Sequence, residues 1–280
     1  MSTRRKYKTY KELSFTDDFL FCNIMQNNPD ICKELVGLLL DRKVGKVAYS
    51  ETQKSIDLAL DQKGVRLDVY FEDDLSTAYN IEMQTSNTGN LPKRSRYYQG
   101  TVDLNMISSG AGYDELKKSY IIFINTFDLF GKGLYRYTFD MSCREVPGMR
   151  LEDGATRIFL NTRGTETAGV SQELIDLLHY FEKTTDINAA ASSSDKIRRL
   201  HEKVRTIKAS EEIGIKFMNE WEEKMLERKE GREEGRAEGE QAKQREIAEK
   251  MLAMGMDIPT VSEATGMSED EVRGLKNAGR

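Results

Sequence analysis

The chain has 280 residues, of which 32% are charged, and a formal net charge of −5. This length allows one sizeable core with appended elements, and the acidic balance means that nucleic acid could be bound only through local basic patches or metal. Three cysteines without paired or zinc-type spacing indicate a reducing compartment, and the two histidines exclude a histidine-rich metal site. No apolar signal segment follows the basic first residues, and no run of about 18 or more apolar residues occurs. We therefore expect a cytoplasmic protein without membrane contact.

Residues 14–40 are predicted to be helical, with Ser14 or Thr16 as the cap and a broad apolar stripe along the helix. The next strand is expected at residues 55–60, where Asp57 is interpreted as a solvated edge acid. A polar turn then leads into two further strands, so a three-stranded meander is predicted.

Two runs of alternating apolar and polar residues, 66–71 and 79–84, are typical of half-buried strands. The polar segment between them is expected to connect a hairpin. If the hairpin folds symmetrically about Leu75, Asp68 lies opposite Glu82. A shift by one residue would turn one apolar set towards solvent, so only even-numbered shifts are compatible with this pattern.

The two carboxylates, Asp68 and Glu82, share the polar face in every allowed register. Directly opposed carboxylates repel each other, so they lie in open water or have a cation between them. An Asp and a Glu that offer only oxygen ligands suit Mg²⁺ or Mn²⁺ much better than zinc. The alternative interpretation is a polar hairpin face without chemistry.

Asp68, followed on the next strand by Glu82-Met83-Gln84, resembles the active-site signature of the PD-(D/E)XK nuclease superfamily. The flanking segments, Arg66-Leu67-Asp68-Val69 and Asn80-Ile81-Glu82-Met83-Gln84, resemble the branch of PD-(D/E)XK family transposases, which is related to the recombination-promoting nucleases. The resemblance covers about residues 15–161 and reappears in the tail.

The resemblance implies a restriction-endonuclease-like mixed sheet flanked by helices, with a helical C-terminal extension. It also implies Mg²⁺, for which Mn²⁺ could substitute, held by Asp68, Glu82 and the backbone carbonyl of Met83. Gln84 departs from the superfamily pattern, since most members have Lys there. Its amide would orient the attacking water but cannot supply the positive charge of a lysine.

The family also has an early Asp-x-x-Phe element, which Asp18-Phe19-Leu20-Phe21 resembles. The resemblance implies that Asp18 is an outer member of the site. The alternative is a first-turn acid that the helix dipole stabilises.

A helix is predicted from residue 91 onwards, with Pro92 at its start. Basic side chains neutralise phosphates and tyrosines can stack or hydrogen-bond, so a basic and aromatic cluster in this helix is the predicted DNA-binding patch. The alternative is a solvated first turn, but a similar segment follows the motif in the family that the chain resembles. The cluster consists of Lys93, Arg94, Arg96, Tyr97 and Tyr98.

A continuous apolar run at 120–125 predicts a central, doubly covered strand, and 134–139 and 157–160 predict two more. With helices before, between and after the strands, the pattern indicates a mixed α/β layer architecture. From residue 171 onwards the pattern is helical. His179 and His201 lie in these helices and are interpreted as packing or surface residues, not as ligands.

Four segments are expected: a nuclease-like domain (1–165), a helical extension (166–226), a charged segment with glycines four apart (227–246), and a small helical module (247–280). The charged segment would be a weak helix or a flexible linker. The module has the pattern of a helix–turn–helix. Five carboxylates against three basic residues after residue 256 make it a poor DNA reader, which favours a packing or protein-interaction module.

Two hypotheses about function follow. The first is an Mg²⁺-dependent endonuclease that hydrolyses DNA phosphodiester bonds, of the recombination-promoting or transposase type, dimeric through its helical extension or tail. The second is a non-catalytic or weakly active DNA-associated scaffold that retains the nuclease fold; the acidic pI, Gln84 and the acidic tail favour it. A Cys or Ser nucleophile is excluded because no histidine is placed as its base.

Overall fold

The computed structural model describes residues 8–56 and 65–278, which form a mixed β-sheet with helices on both faces and a helical tail. The strands are β1 (Val47–Ile56), β2 (Val65–Asp73), β3 (Thr77–Gln84), β4 (Lys118–Asn125), β5 (Arg136–Phe139) and β6 (Ala155–Asn161). The helices are α1 (Asp18–Asn27), α2 (Pro29–Leu40), α3 (Leu91–Met106), α4 (Gln172–Glu182), α5 (Asp186–Ala191), α6 (Asp195–Ala209), α7 (Glu211–Ala253), α8 (Ile258–Thr265) and α9 (Glu269–Ala278). The predicted α/β class is confirmed.

The sheet combines an antiparallel meander with a parallel centre. Its strand order is β1-β2-β3-β4-β6-β5, with β1, β2 and β3 antiparallel, β3, β4 and β6 parallel, and β5 antiparallel at the edge. Val69 pairs with Ile81 and Tyr70 with Asn80, which is the predicted hairpin register. Continued by one residue, this register sets Asp68 opposite Glu82.

The prediction that β2 and β3 are half-buried is wrong, because both faces are covered. Tyr70, Asn80 and Glu82 are fully buried on the face that was expected to meet solvent. The apolar side of α3 packs on that face, where Tyr98 joins a core cluster with Phe123. Burying one such aromatic side chain contributes about 1.5–3 kcal/mol. The alternation of apolar and polar residues in β2 and β3 could not show that α3 covers this face, because α3 comes later in the chain.

The opposite face of the sheet is covered by the N-terminal helices. Helix α1 packs on β1 and β2, and Arg42, after α2, bonds the hydroxyl of Tyr120 on β4. The side chain of Tyr120 lies on the face of β4 opposite that of Phe123. The meander and the centre of the sheet are therefore held between two helical layers.

The single helix predicted over residues 14–40 is divided in two. Helix α1 ends at Asn27 and α2 begins at Pro29, with Asn28 outside helical geometry (φ −138°, ψ 75°). Proline disfavours the helical conformation of the residue before it and cannot donate the next helical hydrogen bond. The cap of α1 is Asp17, and neither Ser14 nor Thr16 takes that position.

The first strand also differs from its prediction. Strand β1 begins at Val47, eight residues before the predicted start. Most of the strand was not predicted because the sequence at 47–54 is largely polar. The remainder of the predicted strand, including Asp57, and the turn after it lie outside the described residues.

Helices α4, α5 and α6 belong to the same compact unit as the sheet. Helix α2 packs on α4 and α6, and the ring of Phe15 stacks on that of Phe181 with centroids 4.4 Å apart. The first unit therefore extends to Gly214 and a second begins at Ile215, whereas the sequence suggested a boundary at 165. Long-range packing between apolar helix faces gives no signal in local composition.

Both histidines have structural partners. His179 lies 3.0 Å from the hydroxyl of Tyr135, and buried His201 contacts Tyr180 and Asp186. His179 is exposed and His201 is buried, so the first is a surface residue and the second a packing residue.

Helix α7 runs without interruption from Glu211 to Ala253, so residues 227–246 form a helix and not a linker. In the second unit a small core of Ala248, Val261 and Val272 joins the end of α7 to α8 and α9. Helix α8 ends at Gly266, which adopts the left-handed conformation (φ 72°). None of the helices in the described ranges is long and apolar enough to cross a membrane.

Candidate active site

The two predicted carboxylates meet where β2 and β3 stop pairing. The β2–β3 ladder ends at Val69 and Ile81, and beyond it side chains replace the backbone partners. The N–H of Asp68 donates to Oε1 of Glu82 (3.1 Å), and the N–H of Met83 donates to Oδ2 of Asp68 (3.1 Å). Each carboxylate is thus fixed by the opposite strand, next to the carboxyl end of β3.

A guanidinium group lies against this pair. Nη2 of Arg94 donates to Oε2 of Glu82 (2.8 Å), Nη1 to Oε1 of Gln84 (3.2 Å) and Nε to the hydroxyl of Tyr98 (2.7 Å). The guanidinium carbon also lies 4.8 Å from the ring centroid of Tyr98 and 5.7 Å from that of Phe123. The cation that opposed carboxylates require is therefore supplied, in part, by the protein itself.

Burial dominates the electrostatics of both acids. Desolvation, followed by the charge of Asp18, raises the pKa of Asp68 to about 6, against the opposing effects of the Met83 N–H and Arg94. Burial and the neighbouring Asp68 raise the pKa of Glu82 well above its usual range, and Arg94 opposes this increase. Two carboxyls that resist ionisation at one place are typical of a functional site.

Asp18, the predicted outer member of the site, lies close enough to this pair for its charge to raise the pKa of Asp68. The thiol of Cys22, one turn further along α1, donates to Oδ1 of Asp18 (3.3 Å) and approaches the carbonyl oxygen of Asp68 (3.5 Å). Burial and the nearby acids raise the pKa of Cys22, so it remains a neutral thiol. Sequence reasoning missed Cys22, although its spacing of four from Asp18 places both on one side of α1.

The predicted DNA-binding cluster is divided between two sides of α3. Lys93, Arg96 and Tyr97 are exposed, whereas Tyr98 is buried and Arg94 turns towards the carboxylates. Tyr98 therefore packs and holds Arg94, which differs from the expectation that both residues contact DNA. Residues 94 and 98 share one face of a helix, and 93, 96 and 97 share another.

Sequence reasoning also missed two buried amides near the carboxylates. The Asn80 amide lies close enough to Glu82 to lower the pKa of that carboxyl, yet in the described part of the chain neither its nitrogen nor its oxygen makes a hydrogen bond of good geometry. Asn125 pairs with Gln84 across β3 and β4, and its buried Oδ1 likewise has no partner there. Buried amides are normally hydrogen-bonded to a protein group or to an ordered water.

Two family models match the chain. Residues 16–233 match PD-(D/E)XK nuclease family transposase, and residues 241–277 match the C-terminal HTH domain of the Rpn/YhgA-like nuclease family. The chain belongs to the PD-(D/E)XK nuclease family transposases. The mixed sheet with flanking helices is accordingly a restriction-endonuclease-like fold, and the helix–turn–helix prediction for the tail is confirmed. Comparisons with curated proteins and with solved structures each gave no significant match.

The first match extends well beyond residue 161, where the resemblance seen in the sequence ended. It includes α4, α5 and α6, which pack in the same unit as the sheet. The helical extension is therefore part of the family domain.

The donor set of the site fits a hard divalent cation. Asp68, Glu82 and the carbonyl of Met83 offer oxygen ligands only, as Mg²⁺ and Mn²⁺ prefer. Within residues 8–56 and 65–278 no group of three or more His, Cys, Asp and Glu side chains is arranged to hold a metal. Magnesium sites commonly use one or two carboxylates together with substrate phosphate, so a pair is sufficient.

Proposed function

We propose that this protein is an Mg²⁺-dependent endonuclease that hydrolyses DNA phosphodiester bonds. The observation that carries the proposal is the pair of half-buried Asp68 and fully buried Glu82, each carboxylate fixed by the other strand and with a raised pKa. Membership in a nuclease family supports the reaction class. The process served would be transposition, which the family description names, or the DNA recombination that the sequence resemblance implies.

In this proposal Asp68, Glu82 and the Met83 carbonyl hold the metal. A bound Mg²⁺ supplies charge neutralisation at the scissile phosphate and lowers the pKa of a coordinated water. Gln84 would help to position the attacking water: its Oε1 accepts from Arg94, which leaves the amide nitrogen as the donor. Asp18, on the outer side of the pair, adds a negative charge that raises the pKa of Asp68.

DNA would approach along the exposed side of α3. Lys93 and Arg96 would neutralise backbone phosphates, and Tyr97 could stack or hydrogen-bond. The C-terminal HTH domain supports a second DNA contact. The first turn of α9, however, carries Glu269, Asp270 and Glu271, which disfavours phosphates there.

A second candidate function is a weakly active or non-catalytic DNA-associated scaffold. It is favoured by the ion pair between Arg94 and Glu82, which engages a carboxylate that the metal needs. The absence of a lysine at position 84 points the same way.

Nicking of supercoiled plasmid by the purified full-length protein tests the proposal. We expect nicking with Mg²⁺ or Mn²⁺, none with a chelator, and none from Asp68→Ala. Asp114→Ala, which removes an exposed carboxylate from a short turn, is the matched control and should nick as the wild type does. Nicking by Asp68→Ala at the wild-type rate would reveal a contaminant. A folded wild type that does not nick would favour the scaffold.

A further inference from the structure

Arg94 is more tightly fixed than a DNA-contacting arginine needs to be. All three of its guanidinium nitrogens donate hydrogen bonds to side chains, namely those of Glu82, Gln84 and Tyr98. Its side chain is 30% exposed, whereas that of its ion-pair partner Glu82 is 0% exposed. An arginine held by three partners presents a fixed charge and not a mobile one.

The fold delivers this charge to the strand edge from a separate element. Arg94 lies in the first turn of α3, and Tyr98 one turn later accepts from its Nε and packs under its plane. Tyr98 itself is fixed by its contact with Phe123 of β4. The position of the charge is therefore set by how α3 packs on the sheet.

We propose that Arg94 is a positioning residue that supplies the positive charge Gln84 lacks and that fixes the orientation of the Gln84 amide. The inference rests on the proposed function. Since Gln84 offers its oxygen to Arg94, its amide nitrogen is the group left to donate towards a water or a phosphate oxygen. The two residues together present a cation and a directed donor beside Glu82.

The fixed charge of Arg94 affects cleavage and metal binding in opposite directions. A fixed cation stabilises negative charge that develops during phosphodiester hydrolysis, so its loss slows cleavage. The same cation repels a divalent metal ion at Glu82, so its loss strengthens metal binding once the carboxylates are ionised. A residue that merely supports the fold would weaken both when it is removed.

The experiment uses the full-length protein with Arg94→Gln, Arg94→Lys and the double variant Arg94→Gln with Gln84→Lys. Exposed Arg144→Gln is the control for loss of one positive charge. Mn²⁺ affinity is measured by calorimetry at pH 8.5, which favours ionised carboxylates, and cleavage by single-turnover rates at saturating Mn²⁺. Circular dichroism checks that each variant is folded.

For Arg94→Gln we expect cleavage slower by about 10²–10³-fold, as for the loss of one electrostatic donor. Its Mn²⁺ affinity should rise on the order of tenfold. Arg94→Lys should recover part of the rate, and the double variant should move both quantities back towards wild type, because it returns a charge to the same place. Arg144→Gln should change neither.

Parallel weakening of Mn²⁺ binding and cleavage in folded Arg94→Gln would overturn the inference, and so would a folded double variant that regains neither quantity. If the wild type does not cleave, the proposed nuclease function fails. The Mn²⁺ arm then still decides whether Arg94 opposes cation binding at Glu82.

Discussion

At the scale of single residues, the buried carboxylates cost the folded protein free energy when no cation is bound. The pKa of Asp68 is raised from 3.8 to about 6, so the folded state retains a proton that the unfolded state has released between these pH values. The free energy of unfolding therefore falls as pH rises from about 4 to about 6. By linkage the loss is up to about 3 kcal/mol at neutral pH.

We accordingly expect Asp68→Asn to melt several degrees higher than wild type at pH 7 in a chelator, with a flatter pH dependence. Asparagine can still accept from the N–H of Met83 but carries no charge. Millimolar Mn²⁺ should raise the melting temperature of the wild type by mass action and leave the variant unchanged. Calorimetric scans between pH 4 and 8 measure both effects, with Asp114→Asn as the control. A wild type that is indifferent to Mn²⁺ would contradict a metal site at Asp68.

The sequence predicted which carboxylates meet, but not what surrounds them. Strand alternation fixes parity, so the pattern of apolar residues places Asp68, Glu82 and Gln84 on one face, whereas their register depends on the symmetric turn that the structure shows. Whether Arg94 points towards them depends on the rotation of α3, which the contact of Tyr98 with Phe123 determines. The sequence analysis placed Arg94 in the DNA-binding patch on the basic and aromatic composition of that segment. The local sequence does not show how the helix is rotated on the sheet.

At the scale of elements, one face of α3 contributes to the candidate site and the other face is exposed to solvent. Its buried face carries Tyr98, and Arg94 on the same side reaches Glu82. Lys93 and Arg96 lie on the exposed side. The predicted patch therefore remains on the surface in reduced form, with two cations in place of three.

We expect the double variant Lys93→Ala with Arg96→Ala to weaken DNA binding by similar factors on unrelated sequences. Phosphate contacts carry no sequence information, and two lost contacts should reduce the slope of log affinity against log salt by about 2. Fluorescence anisotropy in a chelator, over a series of potassium chloride concentrations, gives this slope without cleavage. Lys132→Ala with Arg144→Ala removes the same charge from exposed positions elsewhere. An unchanged slope would place the DNA path away from α3.

At the scale of the whole molecule, the chain divides into two compact units, and the Asp68–Glu82 pair lies in the first. Within the described residues every strand precedes residue 162, as do both carboxylates, and the family domain extends to residue 233. The second unit has a core of its own, formed by Ala248, Val261 and Val272. The helix–turn–helix of the tail could be predicted from the sequence, because capping patterns are local. The boundary between the units is set by contacts distant in sequence.

We therefore expect a chain that ends at Glu234, and so retains the whole family match, to remain folded and to nick DNA at the full-length rate when DNA is saturating. DNA affinity or self-association should fall, because the HTH domain is gone. Nicking kinetics, anisotropy and light scattering separate these quantities. The full-length variant Val261→Asp with Val272→Asp, which disrupts only the tail core, should reproduce the truncation. If a truncation with a native circular dichroism spectrum loses metal-dependent nicking, the tail is part of the catalytic apparatus and not an accessory to it.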